Sequence, residues 1–212
     1  MAKYPDVTAG QTEACINRMG GMNNFIRFIG GEGKLVFEEV IRAVVSLLEF
    51  ISTINISATT GRFVTRDKFK LKKNSGICSY LGDNFTNWFL GKIEEPIGEQ
   101  TLRYAKLRKS SLDSPIISEL GGEEKAETTL AEVFSLMDKQ FSGEEGVLLT
   151  NGWANIFYVK DRSGVLRSVI VYWYDGGWGA DAYEVSYPYG WHAGNQVFSR
   201  NYPSVPQELA VS

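Results

Sequence analysis

A single histidine, His192, and two cysteines, Cys15 and Cys78, set the ceiling on reactive chemistry in this 212-residue chain. One imidazole excludes any site that needs two. Two thiols outside a Cys-x-x-Cys pair exclude a four-thiolate zinc site and a multi-bridge disulfide scaffold. A hydrolase or transferase would take His192 as its base, Cys78, Cys15 or a serine as nucleophile, and a carboxylate to orient the ring. No Gly-x-Ser-x-Gly elbow accompanies it, and Pro188-Tyr-Gly-Trp-His-Ala-Gly194 reads as a turn, where an exposed histidine is ordinary. Asp175, Asp181 and Glu184 are the carboxylates nearest in sequence. Asp181 and Glu184, three apart, point to opposite faces of a strand, and Asp175 belongs to a hairpin turn, so no metal site is expected.

Gly30-Gly31-Glu32-Gly33-Lys34 resembles a phosphate loop only superficially. Phe28 stands where the first glycine belongs, Leu35 replaces the hydroxyl that holds magnesium, and the segment follows a helical pattern; Val36 also breaks the dinucleotide spacing. A helix end and turn is the better reading, and no cofactor is expected.

Binding surfaces are better supported than reactive groups. Arg62, Arg66, Lys68, Lys70, Lys72 and Lys73, interleaved with Phe63 and Phe69, form one basic cluster, and Arg103, Lys106, Arg108 and Lys109 a second. Facing one side, they would neutralise phosphates while the phenylalanines stack unpaired bases, which is the nucleic-acid reading. Alternation of Phe69 and Leu71 with Lys68, Lys70 and Lys72 also suits an edge segment kept soluble by lysines, its rings turned inward. Four of the five tryptophans, Trp153, Trp173, Trp178 and Trp191, lie after residue 150, with Tyr158, Tyr172, Tyr174, Tyr183, Tyr187 and Tyr189 beside them. Trp173 is assigned to the core. Trp178 and Trp191, beside turns, are expected to face outward with Tyr187 and Tyr189 as a docking surface for a macromolecular partner, foremost a protein.

These groups need elements to position them. At about 150 residues per domain the length suits one domain, or one with a small appendage. With 22 basic against 25 acidic side chains the net charge is −3, which argues neither for a globally basic nucleic-acid binder nor for a solvating tail. The first 30 residues lack the apolar run of a signal peptide. The most apolar stretch, 35–56, is broken by Glu38, Glu39, Arg42 and Glu49, so no membrane span, a cytoplasmic location and reduced thiols are expected.

Cys15, Met19, Met22, Ile26 and Ile29 fall on one helical stripe interrupted by Gly20-Gly21, predicting two short helices, and a third is predicted near 35–48. Strands are predicted over 49–57, 77–81 and 101–109, with a helix from Asp83 carrying Phe85, Trp88 and Phe89. Ala126, Leu130, Val133, Phe134, Met137 and Phe141 predict one long amphipathic helix over 123–141, its acidic residues on a solvated face. Runs at 153–160, 165–174, 178–186 and 196–200, joined by Asp- and Gly-rich turns, predict an antiparallel meander. The run 165–174 is apolar on both faces, so it should be central, with the long helix over one side.

The stretch Gly146-Val-Leu-Leu-Thr-Asn-Gly-Trp-Ala-Asn-Ile-Phe-Tyr-Val-Lys-Asp, with Glu184-Val-Ser-Tyr-Pro-Tyr-Gly-Trp-His-Ala-Gly and Val197-Phe-Ser-Arg-Asn, resembles a family of uncharacterised short proteins from uncultured, reduced-genome bacteria. Asn17-Arg-Met-Gly-Gly-Met-Asn-Asn-Phe-Ile-Arg-Phe-Ile-Gly is similar to the element that opens proteins of that group. The resemblance implies a bacterial, intracellular protein with a reusable helical module in front, and brings no assigned activity.

The expectation is therefore an α+β chain, either one compact unit throughout or with a boundary near 30–34 after a helical N-terminal module over 1–34. An α+β domain over 35–212 follows, in which a mostly antiparallel sheet packs on a long helix. Non-enzymatic binding through the aromatic surface is the leading functional reading, nucleic-acid binding through the basic clusters the second, and His192-dependent hydrolysis or group transfer the third.

Overall fold

The computed structural model describes residues 8–32, 46–188 and 190–200. The chain separates into two units, Met1–Val44 and Val45–Ser212. The expected break after residue 34 and most of the helix expected over 35–48 fall outside the described residues; Leu48 itself begins a strand.

In the first unit Thr8 caps α1 (Ala9–Arg18), its side chain accepting from the Gln11 N–H while the Gln11 side chain accepts from Thr8. This reciprocal box satisfies two of the helix's unpaired donors. Gly20 and Gly21, at φ of 81° and 105°, turn the chain into α2 (Met22–Ile29). Met22, Ile26 and Ile29 of the expected stripe are exposed, and so is Cys15.

The second unit is α+β. In chain order it runs β1 (Leu48–Ile56), β2 (Phe63–Val64), α3 (Thr65–Lys68), β3 (Cys78–Leu81), α4 (Asp83–Phe89), β4 (Ile93–Glu94), β5 (Gln100–Leu107), α5 (Asp113–Leu120), α6 (Glu123–Ala126), β6 (Glu127–Thr128), α7 (Leu130–Lys139), β7 (Asn155–Lys160), β8 (Leu166–Tyr174), β9 (Gly177–Glu184) and β10 (Gln196–Arg200). The large sheet has the order β1-β5-β10-β7-β8-β9-β3, with β6 alongside β7, while β2 and β4 form a separate pair. The sheet is mixed and mostly antiparallel. The last strand, β10, sits in its middle, antiparallel to β5 and parallel to β7.

The consecutive strands β7, β8 and β9 pair as antiparallel neighbours. The β8–β9 reversal uses Asp175 and Gly176, both at positive φ, as a two-residue hairpin of this hand requires. The middle of β8 is buried on both faces, because Val169 and Val171 point into one core and Ile170 into the other. Leu130, Val133, Leu136 and Met137 of α7 cover the first face, together with Phe69, Phe85 and Phe89. Ile116, Ile117 and Leu120 of α5, with Ala126, cover the second. Stacked rings hold the middle of the sheet, Phe157 lying 4.5 Å from Phe198 and Phe198 5.5 Å from Tyr104.

The helix expected over 123–141 is two helices separated by β6. Two β-branched residues cause the break: Thr128 joins the ladder beside β7 and its hydroxyl donates to the Tyr158 carbonyl at 3.2 Å. Thr129 then caps a new helix through a capping box with Glu132. Glu94 of β4 accepts from the next two free donors, the N–H groups of Leu130 at 3.0 Å and Ala131 at 2.9 Å. Glu132, expected on a solvated face, is fully buried and paired with Arg200 at 3.4 Å. Asp83 opens α4 as its first helical residue; Gly82 occupies the cap.

Candidate functional site

At one end of the sheet, the approach to β7, the end of β9 and the loop before β10 enclose a cleft of about 370 Å³. Its walls are Trp153, Tyr183, Tyr187 and Trp191; His192 and Asn195 supply its polar side chains. Among the described residues no Asp, Glu, Lys or Arg lines it. Trp153 is 42% exposed and Tyr187 41%, so large aromatic faces meet solvent there.

The wall carrying Trp191 is braced from beneath. Main-chain bonds link Trp191 and Ser111 in both directions, at 2.7 and 3.0 Å. The indole N–H of Trp191 donates to Asp113 Oδ1 at 2.6 Å. Asp113, at the start of α5, is 2% exposed and also accepts from the Tyr158 hydroxyl at 2.8 Å and the Ser168 hydroxyl at 3.0 Å. Burial pushes its carboxyl above the usual carboxylate range, and the three donors only partly oppose this. Burial and the neighbouring Asp113 raise the Tyr158 phenol well above its ordinary value, so that hydroxyl stays a donor. These contacts fix one indole ring; they leave the carboxylate sealed from any substrate.

The remaining rings pack on that anchor. Tyr183 meets Trp191 edge-on at 5.9 Å and lies 5.2 Å from Tyr187. Burial and its bond to Asp181 push Tyr183 up to about 12. Asn195 secures the floor: its side-chain oxygen accepts from the Ala154 N–H at 3.1 Å, and its own N–H donates to the His192 carbonyl at 3.2 Å. The cleft is thus an aromatic concavity with one anchored wall, suited to apolar and ring contacts.

The expected docking residues separate here. Trp191 and Tyr187 line the cleft, and Tyr189 lies outside the described residues. Trp178 is a correction: it is fully buried, meets Trp173 edge-on at 5.3 Å and donates its indole N–H to the Gln140 carbonyl at 3.1 Å. It follows the Asp175-Gly176 turn in sequence but lies on the inward face of β9, so proximity to a turn misled the reading. Trp153 and Tyr183 complete the wall instead. Asp113 has no sequence signal linking it to Trp191, 78 residues away.

His192 is exposed and lines the cleft, but among the described residues no carboxylate or thiol is hydrogen-bonded to its ring. Cys78 is buried, and burial pushes its thiol up to about 12, far from a thiolate at neutral pH. Asp181 is occupied by the Ala182 N–H and the Tyr183 hydroxyl, and Glu184 pairs with Arg167 at 3.4 Å. Among the described residues no group of three or more His, Cys, Asp and Glu is placed to hold a metal.

The structure does not bring the basic clusters together. Lys72 bonds the Gly176 carbonyl in the β8–β9 turn, near one edge of the sheet, whereas Arg103 and Lys106 lie on β5 beside the other edge, and Arg108 and Lys109 follow it. Phe63 and Phe69 are buried in the core, so the expectation that they stack bases fails. Arg62 is paired with Glu95 at 3.0 Å, Lys68 lies 5.6 Å from the centre of the Phe134 ring, and Arg103 stacks 5.3 Å from that of Phe50. Arg66, Lys70 and Lys73 are exposed.

No protein-family model matches the chain, and no curated protein or solved structure does. No helix among the described residues is long and apolar enough to cross a membrane.

Proposed function

We propose that this protein is a non-enzymatic binding protein that docks a protein partner in the aromatic cleft formed by Trp153, Tyr183, Tyr187 and Trp191. One observation carries the reading: two large half-exposed rings stand at a concavity whose opposite wall is locked by Asp113. Exposed aromatic area on a rigid frame is what binding hot spots are made of, since little side-chain entropy is lost on contact. Among the described residues the lining holds no Asp, Glu, Lys or Arg, which favours an uncharged, apolar or aromatic segment of that partner over phosphate or nucleic acid. An enzymatic reading through His192 finds less support, because that ring lacks a hydrogen-bonded carboxylate or thiol among the described residues.

The test is affinity capture with the native chain and with Trp153→Ala and Tyr187→Ala. A captured protein is then purified and titrated against all three. Each substitution is expected to weaken binding by about tenfold or more, the scale of a lost aromatic anchor. Unchanged affinity in both variants, with the fold intact by circular dichroism, would overturn the reading.

A further inference from the structure

β1 is the outer strand of the large sheet and, among the described residues, pairs only with β5. It is nine residues long, holds no Lys, Arg or Pro, and exposes Phe50 and Ile51. Sheet edges are usually blunted by such residues or by shortness; β3, at the opposite edge, has four residues.

The direction of the main-chain groups along β1 follows from bonds at its two ends. The Arg108 N–H donates to the Leu47 carbonyl while the Leu47 N–H goes to Glu119, and Leu107, opposite Leu48, bonds toward β10, so Leu48 turns outward. There Glu119 accepts from the Leu48 N–H at 2.8 Å and the Ser46 hydroxyl donates to the Leu48 carbonyl at 2.7 Å. At the other end the Lys139 amine donates to the outward Asn55 carbonyl at 3.3 Å. Between them the register shifts at Ile51, so alternation turns Phe50 outward before the bulge and Thr53 after it. The outward set is Leu48, Phe50, Thr53 and Asn55, spaced by two, three and two residues.

That spacing selects its partner. A regular strand presents every second residue and falls out of register on one side of the bulge. A second β1, laid antiparallel about a two-fold axis between Ile51 and Ser52, sets the three-residue step against its own image. Phe50 then pairs with Thr53 of the second copy, and Thr53 with its Phe50, each exchanging both main-chain bonds with like faces together. We infer that the occupant of this edge is a second copy of the chain, which joins two sheets into one across a two-fold axis. Glu49, the one charged residue of β1, comes toward the end of the second strand that carries its Lys139, so opposite charges approach. The ends at Leu48 and Asn55 are already bonded, which leaves a short contact of the transient class.

Sedimentation velocity of the full chain, in reductant, is the test. The mass is expected to rise from monomer toward dimer between about 10 µM and about 1 mM, the range of small interfaces. Thr53→Pro removes an outward donor without touching the ladder to β5. It is expected to weaken association about tenfold, because symmetry removes the bond twice. Phe50→Lys is expected to do the same. Should either variant misfold, Phe50→Cys/Thr53→Cys in a Cys15→Ser background provides an independent reading, since this register links position 50 of one copy to position 53 of the other, as peptide mapping of the oxidised dimer reads directly. A single monomer mass throughout would sink the proposal. So would a dimer unaffected by either edge variant, a dimer lost instead through Ile26→Ser on α2, or the absence of the cross-link.

Discussion

Asp113 shows how one buried carboxylate can organise a surface it never reaches. It accepts three side-chain hydrogen bonds and among the described residues has no cationic partner, so its charge is costly and its carboxyl titrates high. Asp113→Ala strands the donors of Tyr158, Ser168 and Trp191 and is expected to destabilise the fold by about 3 kcal/mol in urea unfolding. Asp113→Asn can keep its oxygen toward Tyr158 and Trp191 while its amide donates to Ser168, so a loss of about 1 kcal/mol or less is expected at pH 7. The pH dependence separates them. With a folded pKa above the unfolded value near 3.8, the group lowers stability at neutral pH, and that penalty fades as pH falls through the raised value. The native chain should show this relief and the Asn variant should not. Trp178→Ala belongs to a different class: removing a fully buried indole is expected to cost about 4 kcal/mol, read as a lower unfolding midpoint and not as a lost binding contact.

Among the elements, the turn between β7 and β8 carries its own ion-pair anchor. Asp161 accepts from the N–H groups of Ser163 at 2.8 Å and Val165 at 3.0 Å and from Arg167 at 3.0 Å, while the Arg167 guanidinium lies 4.1 Å from the centre of the Trp88 ring. Burial alone would raise its carboxyl, but these donors hold it below the usual value of 3.8. Its stabilisation is complete above the unfolded pKa and is lost as pH falls below about 4 toward the depressed value. Asp161→Asn is expected to cost about 1–2 kcal/mol at pH 7, and the difference from the native chain should shrink in acid. The sequence announced this turn through Asp161-Arg-Ser-Gly164, as it announced β8 through a run apolar on both faces, because both signals are local. The strands near 49–57, 77–81, 101–109 and 196–200 carried the same kind of signal in their β-branched and aromatic content. The split of the expected long helix was harder to see. Its apolar spacing continues through Thr128 and Thr129, and only pairing with β7, some 30 residues away, decides the break. A capping box at Thr129 and Glu132 was nonetheless present in the letters. α5 is announced only by Pro115 in its first turn and Gly121 after its end. The cleft was half legible: aromatic abundance marked the region, but which rings face outward depends on strand parity and on Asp113, and neither can be counted from spacing.

At the scale of the whole molecule, two cores share one sheet, and among the described residues the hydrogen-bonded ladder joins its two parts, β1–β5 and β7–β8–β9–β3, through β10 alone. Val197 and Phe198 face opposite cores from that strand and both are sealed. A substitution such as Phe198→Ala should therefore lower stability by about 4 kcal/mol and leave a single cooperative transition by two optical probes, since neither part is complete alone. The middle position of β10 also has a temporal meaning. It is the last of these strands to leave the ribosome, so β5 and β7 must each wait with one open edge while synthesis proceeds. Completion of the sheet therefore waits for β10 to emerge, and a nascent chain stalled before residue 196 should be a ready client for chaperones.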